Sequence, residues 1–273
     1  MTDHLVKGGG GIRLHVVETG DPRGKPILFI HGTSQCSLAW REQMRSDLAD
    51  DFRLVAMDLR GHGASEKPRD GYGDSRLWAD DVRAVIESLG LDRPVLCGWS
   101  YGGVVIGDYV AHCGEENVAG TVWVGAVWRL GDPLLRSGAL GADFLAVVPG
   151  LFAEDVDMST AALQTLIRLV LREEPPAEDF FLLLGYNTVV PPHVRQSLFS
   201  RTLDHDAVIR AMRKPMLLSY GESDVVVLPE TGRELARLAP HARLSMYPGC
   251  GHAPFLADPG RFNRELRELR EAV

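Results

Sequence analysis

The chain has 273 residues, of which 45% are hydrophobic, and this is enough apolar material for the core of one sizeable α/β domain. Its 29 basic and 37 acidic side chains give a formal charge of −8, and no stretch concentrates Lys or Arg, which argues against a nucleic-acid partner. The first residues contain no apolar signal region, and no run approaches the roughly 18 apolar residues of a membrane span, which predicts a cytoplasmic protein without a membrane partner.

The cysteines and histidines show no pattern of a metal site. The four cysteines lie far apart, with no C-x-x-C pair and no histidine at zinc-finger spacing: Cys36, Cys97, Cys113 and Cys250. We expect reduced, buried thiols, and neither a metal nor a cofactor.

Short apolar runs bounded by Gly, Pro or Asp recur along the first 127 residues and predict strands. The runs lie at 12–18, 26–32, 53–61, 94–100 and 120–127. The four glycines at 8–11 are interpreted as a turn before the first strand. Helical patterns lie between the runs, at 37–50, 75–90 and 101–114. Alternating strands and helices predict a mostly parallel sheet with helices on both faces.

This alternation stops between residues 128 and 205. The stretch contains helical patterns, one Pro-Gly pair and two Pro-Pro pairs, but no convincing strand. Strand runs return at 215–221 and 243–249, with helical patterns at 230–240 and 259–273. We therefore predict a core built from 1–127 and 206–273, and a helical cap, or lid, formed by 128–205.

The hexapeptide Gly-Trp-Ser-Tyr-Gly-Gly at 98–103 joins a predicted strand to a predicted helix. A tight turn there forces Ser100 into a strained backbone conformation and exposes its hydroxyl at the end of the sheet. The glycines remove Cβ atoms that would collide, and the helix N-terminus can stabilise an oxyanion. A G-x-S-x-G pattern alone is weak evidence in a chain with 29 glycines, so its setting carries the argument.

Five motifs occur in one order along the chain. They are FIHGTSQCSLAW at 29–40, DLRGHGAS at 58–65, GWSYGG at 98–103, YGESDVVV at 220–227 and GCGHAPFLADPGRFN at 249–263. With them the chain resembles the α/β-hydrolase family over nearly its whole length. The motifs look like that family's oxyanion loop, conserved turn, nucleophile elbow, acid loop and histidine loop. The resemblance implies an eight-stranded, mostly parallel sheet with a cap inserted after the sixth strand.

The chemistry assigns roles to three side chains. The hydroxyl of Ser100 needs a base, and His252 has a side chain whose unperturbed pKa of about 6.5 suits accepting and returning a proton. Asp224, which follows a strand, would hold the tautomer of the imidazole and stabilise its cation. Asp204 and Asp206 compete for the acid role, although we interpret them as a helix start or cap boundary.

Further residues are candidates for the pocket. The resemblance implies an oxyanion hole formed by the backbone amides of Thr33 and Tyr101, and structural roles for His31 and His62. Side chains predicted to line the substrate pocket are Trp99, Trp128, Phe144, Val147 and Val148. The same residues also suit core packing, as do Tyr101, Leu134, Leu166 and Phe181, which offer further surface for an acyl group.

A serine nucleophile favours an acyl-enzyme route and makes epoxide opening and dehalogenation improbable, since those family members use an aspartate. We predict hydrolysis of small to medium carboxylic esters with an apolar acyl part, so the partner is a small-molecule ester. Lactone, carbon–carbon bond and amide hydrolysis, perhydrolysis and acyl transfer use the same triad and stay open. A protein of another class, which binds a ligand on this scaffold without turnover, also stays open as an alternative. The sequence argues against a dinucleotide-binding enzyme, because no G-x-G-x-x-G follows the first strand. The sequence leaves the oligomeric state open, a homodimer included.

Overall fold

Eight strands form one sheet whose central members are the most apolar segments of the chain. The computed structural model describes residues 1–273. The strands of the sheet are β1 (Thr2–Lys7), β2 (Arg13–Gly20), β3 (Lys25–Ile30), β4 (Phe52–Met57), β5 (Val95–Trp99), β6 (Gly120–Val124), β9 (Met216–Gly221) and β10 (Arg243–Tyr247). Their order is β1-β2-β4-β3-β5-β6-β9-β10. All neighbours pair in parallel except β1 with β2 and β2 with β4.

Helices cover both faces of this sheet, which explains why β5, β6 and β9 are buried along their whole length. The helices of the core are α1 (Arg41–Met44), α2 (Leu48–Asp51), α3 (Ser75–Ser88), α4 (Tyr101–Cys113), α10 (Asp206–Ala211), α11 (Pro229–Leu238), α12 (Pro254–Ala257) and α13 (Pro259–Glu271). In α3 the buried residues recur at helical spacing, from Trp78 and Val82 to Val85 and Ile86, so one stripe of the helix faces the core. No helix is long and apolar enough to cross a bilayer.

Residues 128–205, between β6 and α10, contain five helices and a short ladder. The helices are α5 (Asp132–Ser137), α6 (Ala142–Leu151), α7 (Val156–Leu171), α8 (Ala177–Thr188) and α9 (Pro192–Phe199). Two strands of two residues, β7 (Arg129–Leu130) and β8 (Leu203–Asp204), pair antiparallel and join the two ends of the segment. The expectation that this stretch holds no strand is wrong at these positions, because a two-residue strand has no detectable period.

Three other local predictions differ from the structure. Strand β1 was missed because it is an edge strand in which only Val6 is buried, so it shows no apolar alternation. The glycines at 8–11 accordingly connect β1 to β2 rather than precede the first strand. The helical pattern at 37–50 is broken into a 3₁₀ turn at Ser37–Trp40 followed by two four-residue helices.

All four cysteines are free thiols, as expected. Cys36 and Cys97 are buried, whereas Cys113 and Cys250 are only half-buried, which corrects the expectation that all four lie inside. Cys113 is the last residue of α4 and Cys250 lies in the loop after β10, so both half-buried thiols lie at the end of a packed element.

Candidate active site

Ser100 occupies the turn between β5 and α4 with φ 55° and ψ −115°, a conformation that L-residues rarely adopt. Such a residue costs on the order of 1–3 kcal/mol and persists only where its surroundings fix it. The backbone here is fixed at both ends, since the Ser100 N–H donates to Val124 at 2.9 Å and its carbonyl accepts from Gly103 at 3.0 Å. The strain predicted for this serine is therefore present.

The flanking glycines allow the helix and strand to approach each other. A Cβ on Gly98 would lie 2.6 Å from the carbonyl oxygen of Gly102, and a Cβ on Gly102 would lie 2.5 Å from that of Ile30. Both distances are shorter than any side-chain contact, so neither position accepts a larger residue without movement of the backbone. The G-x-S-x-G pattern is thus a packing requirement of the turn that presents Ser100.

Asp224 and His252 are hydrogen-bonded to each other in the interior. Asp224 follows β9, His252 follows β10, and the His252 Nδ1–H donates to Asp224 Oδ2 at 2.7 Å. Asp224 Oδ1 accepts the backbone N–H groups of Val226 at 2.8 Å and Val227 at 3.0 Å. These two amides orient the carboxylate, so that its second oxygen is left for the imidazole.

The competing carboxylates lie elsewhere. Asp206 accepts hydrogen bonds from Trp128 Nε1 at 2.7 Å and from the Arg129 guanidinium at 2.8 Å. Asp204 accepts the backbone N–H of Asp206 at 2.9 Å. Both residues belong to the junction at β8 and α10, and only Asp224 contacts the histidine.

The backbone of His252 is held from two directions. Its N–H donates to the carbonyl of Val170, near the end of α7, at 2.9 Å. Its carbonyl accepts from Trp99 Nε1 at 2.8 Å, and the Trp99 ring lies 5.6 Å from the imidazole, centroid to centroid. The histidine loop is therefore joined both to the inserted helices and to Trp99, the last residue of β5.

Ser100 and His252 line one cavity of about 40 Å³. The complete lining is Gly32, Thr33, Gln35, Trp99, Ser100, Phe144, Leu151, Leu166, Val170, Phe199, Val226 and His252. The Ser100 hydroxyl is not hydrogen-bonded to the imidazole in this structure; such bonds are often long before a substrate is bound. A cavity with a strained serine, a carboxylate-bound histidine and apolar walls suits nucleophilic attack on a small acyl group.

The predicted oxyanion residues also lie at this site. Thr33 lines the cavity, and its backbone N–H makes no hydrogen bond within the chain. Tyr101 is the first residue of α4, where backbone N–H groups have no acceptor within the helix. Its phenol lies in a buried cluster where it accepts from Arg201 at 2.7 Å, so Tyr101 offers the site its amide and not its side chain.

The structure separates the predicted pocket side chains. Trp99 and Phe144 line the cavity, and so does Leu166. Trp128 does not, because its indole N–H is bound to Asp206 beneath the stacked Arg129. Val147 and Val148 are half-buried against the core, outside the lining, and Phe181 is 68% exposed on α8. Leu134 packs near Trp128 instead. The structure therefore corrects the prediction that Trp128, Leu134, Val147, Val148 and Phe181 line the pocket.

A larger groove of about 590 Å³ lies beside the cavity and shares only Val170 with it. The groove runs between α8, the end of α7 and the loop after β10, and it contains none of Ser100, Asp224 and His252. The larger of the two spaces is therefore not the one lined by the candidate catalytic residues.

His31 and His62 have backbone partners on both ring nitrogens, which fits the structural roles implied for them. His31 Nε2 accepts from Leu59 N–H at 3.0 Å, while its Nδ1–H donates to Gly32. His62 Nε2 accepts from Ser34 N–H at 3.3 Å, and its Nδ1–H donates to Arg60. Burial lowers the pKa of both rings, that of His62 to about 3.

This burial predicts a loss of stability in acid. A ring with a folded pKa near 3 and an unfolded pKa of about 6.5 binds its proton mainly in the unfolded chain, so stability is fully present above pH 6.5 and falls as the pH decreases toward 3. We expect the titration of His62 to lower the free energy of unfolding by about 3 kcal/mol at pH 4. Urea titrations followed by tryptophan fluorescence measure this loss. In His62→Asn the slope of the free energy of unfolding against pH should decrease by the equivalent of about one proton. The control His241→Asn, at an exposed ring, should keep the wild-type slope. An unchanged slope in His62→Asn would contradict the assignment.

Comparison with known proteins agrees with this geometry. Residues 27–265 match the model of the alpha/beta hydrolase family. The chain is 32% identical to the bifunctional esterase/perhydrolase DCH of Acinetobacter calcoaceticus, over 90% of this chain and 91% of that one. It superposes on the esterase RhEst1 of Rhodococcus sp. ECU1013 with a TM-score of 0.92 and 38% identity, covering 99% of each chain.

A putative aryl esterase from Burkholderia cenocepacia gives a TM-score of 0.90 with 34% identity, over 99% of this chain and 98% of that one. The strand order and the serine turn indicate the same family as these matches, which cover nearly the whole length of the chain. The chain belongs to the alpha/beta hydrolase family, as an esterase-like member of it.

Proposed function

We propose that this enzyme hydrolyses carboxylic esters of small to medium apolar acyl groups through an acyl-enzyme on Ser100. The observation that carries the proposal is the meeting of a strained serine and a carboxylate-bound histidine in one apolar cavity. The esterases among the similar proteins support the same reaction class. Residues 128–205 are proposed as the cap over the acyl group, since Phe144, Leu151, Leu166 and Phe199 reach the cavity from this segment.

The reaction proceeds in two halves. Ser100 Oγ attacks the carbonyl carbon while His252 Nε2 takes its proton, and the amides of Thr33 and Tyr101 bind the oxyanion. The ester C–O bond breaks, and His252 returns the proton to the departing alcohol. A water molecule then gives a proton to His252 and attacks the acyl carbon. The bond from that carbon to Ser100 Oγ breaks, His252 returns the proton to Oγ, and the acid is released. Asp224 stabilises the imidazolium in both halves.

Trapping of the intermediate tests the proposal. The enzyme is mixed with p-nitrophenyl butyrate at pH 7 to 8, quenched in acid within the first turnovers, and digested for mass spectrometry. We expect a butyryl group on the peptide that carries Ser100 and none in Ser100→Ala. Rapid hydrolysis with no acylated serine, or with the acyl group on another residue, would refute the assignment. Parallel lactone and diketone substrates distinguish the other chemistries of the triad.

A second reaction is suggested by the esterase/perhydrolase relative. Hydrogen peroxide in place of water would attack the same acyl-serine and release a peracid. Peracetic acid formation from an acetate ester and peroxide, measured beside hydrolysis, compares the two acceptors. A protein that binds ligands without turnover would produce neither product.

The size of the cavity predicts the length of the acyl group. Phe199 lines the cavity next to Phe144, with the ring centroids 6.3 Å apart, so its removal extends the space for an acyl chain. We expect Phe199→Ala to raise the kcat/KM ratio of p-nitrophenyl octanoate to acetate by about tenfold, because room for one further methylene contributes roughly 1–3 kcal/mol. Phe181→Ala, at an exposed ring, is the matched control. Equal ratios in the two variants would show that Phe199 does not limit chain length.

We also propose the cytoplasm as the location of the enzyme. The four cysteines form no disulfide, and Cys113 and Cys250 are partly accessible to oxidants, which suits a reducing compartment.

A further inference from the structure

Gln35 is the one side-chain amide in the wall of the catalytic cavity. It follows Thr33 by two residues in the oxyanion loop and is only 5% exposed. Its Oε1 is buried and has no hydrogen-bond partner. A buried acceptor without a donor costs on the order of 1–3 kcal/mol, so a ligand that supplies a donor would gain from it.

A second amide fixes which end of Gln35 is unpaired. Asn187, on α8, is fully buried, and its Nδ2–H donates to the carbonyl of Leu183 at 2.8 Å. A carbonyl only accepts, so Asn187 must turn its Oδ1 toward Gln35. That oxygen accepts from Gln35 Nε2 at 3.3 Å, which uses the donating end of Gln35. The orientation follows from the network, and the acceptor Oε1 is the end that remains.

No group in the lining of the cavity donates a hydrogen bond to Gln35 Oε1 in this structure. Its apolar lining consists of Phe144, Leu151, Leu166, Val170, Phe199 and Val226. The indole N–H of Trp99 is used by the His252 carbonyl. Oε1 is therefore free to accept a hydrogen bond from a molecule in the cavity.

On this basis, and resting on the proposed ester hydrolysis, we propose that Gln35 Oε1 selects substrates whose acyl chain bears a hydroxyl close to the carbonyl. The hydroxyl O–H would donate to Oε1 while the carbonyl oxygen accepts from the Thr33 amide two residues earlier in the loop. The short distance along the loop and the cavity of about 40 Å³ point to a short hydroxyacyl group. Asn187 acts as a positioning residue, because it holds the amide of Gln35 in the required orientation.

The test compares esters that differ only in the donor. Ethyl 3-hydroxybutyrate carries an O–H, whereas ethyl 3-methoxybutyrate has an oxygen at the same place and no donor; ethyl butyrate is the unsubstituted reference. We expect the wild-type enzyme to prefer the hydroxy ester over the methoxy ester by about five- to tenfold in kcat/KM, the effect of one neutral hydrogen bond. In Gln35→Met the kcat/KM ratio of the hydroxy ester to the methoxy ester should fall. It should approach the kcat/KM ratio of ethyl butyrate to the methoxy ester.

Asn187→Leu provides a second variant. Without its partner the Gln35 amide can rotate, so the preference for the hydroxy ester should decrease while Gln35 is still present. Thermal unfolding of both variants identifies any that fail to fold, and the ratio of two substrates is unaffected by a reduced amount of active enzyme. A purely structural role for Gln35 would change stability and leave this ratio at its wild-type value.

The outcomes separate the two proposals. Equal kcat/KM for the hydroxy and methoxy esters, with hydrolysis abolished in Ser100→Ala, would overturn the role of Gln35 and leave ester hydrolysis intact. A preference that persists in Gln35→Met would also overturn it. If the wild-type enzyme hydrolyses none of the three esters and no p-nitrophenyl ester, the proposed function fails, and the inference about Gln35 fails with it.

Discussion

Ser100→Ala is expected to lower kcat for p-nitrophenyl acetate and butyrate by about 10⁴-fold or more. The variant keeps the turn but lacks the oxygen that would form the proposed acyl-enzyme. The remaining cavity still binds the ester, so KM should change far less than kcat. Because the Ser100 side chain makes no hydrogen bond in the resting structure, we expect circular dichroism and the thermal midpoint to stay close to wild type. Initial rates corrected for spontaneous ester hydrolysis measure the effect.

The chain contains its own control for this substitution. Ser75 is another serine at the N-terminal end of a helix and beside a histidine, since it is the first residue of α3 and its Oγ lies 2.8 Å from His112 Nε2. This pair is exposed, has no carboxylate partner and lies outside the catalytic cavity. Ser75→Ala should therefore keep the wild-type kcat. Loss of activity in both variants, or in neither, would reject Ser100 as the nucleophile.

The three candidate triad residues could be predicted because each follows an element with a strong local pattern. Ser100 comes after a buried strand and before a helix, and Asp224 and His252 follow the last two strands. In a parallel sheet these carboxyl ends lie at one edge, so topology brings together residues that are far apart in sequence. The choice of Asp224 over Asp206 rested on this rule, and the hydrogen bond to His252 agrees with it.

The contacts that support the site could not be predicted in the same way. The carbonyl of Val170 accepts from the His252 N–H although the two residues are far apart in sequence, and nothing in the composition of α7 marks that carbonyl. The pairing of Gln35 with Asn187 joins a loop to an inserted helix, and its meaning depends on which end of each amide faces the other. Sequence patterns specify elements, whereas these contacts depend on how the elements pack.

Helix α6 shows the same limit for side chains. Phe144, Val147, Val148 and Leu151 have helical spacing and lie on related faces, so periodicity treats them alike. The structure places Phe144 and Leu151 in the cavity and the two valines against the core. A small rotation of the helix would exchange these roles, and the pattern does not specify that rotation.

Asp224→Asn is expected to lower kcat by about 10⁴-fold although the substitution is nearly isosteric. The backbone N–H groups of Val226 and Val227 both donate to one oxygen of residue 224. In the variant they select the amide oxygen, so the amide nitrogen must face His252 Nδ1. Because that nitrogen is a donor, the ring is driven to the tautomer with its proton on Nε2. This tautomer cannot accept the proton of Ser100, and the imidazolium also loses its counter-charge.

Asp206→Asn is the matched control, because Asp206 has the same side chain and was the competing candidate for this role. It binds Trp128 and Arg129 instead of the histidine, so its substitution should lower stability and leave kcat close to wild type. Rates at pH 7 to 9 and thermal midpoints for both variants separate the two effects. If Asp224→Asn retained kcat within tenfold of wild type, the imidazole would not depend on this carboxylate for its tautomer. If Asp206→Asn caused the larger loss in kcat at an unchanged midpoint, the acid role would belong to Asp206.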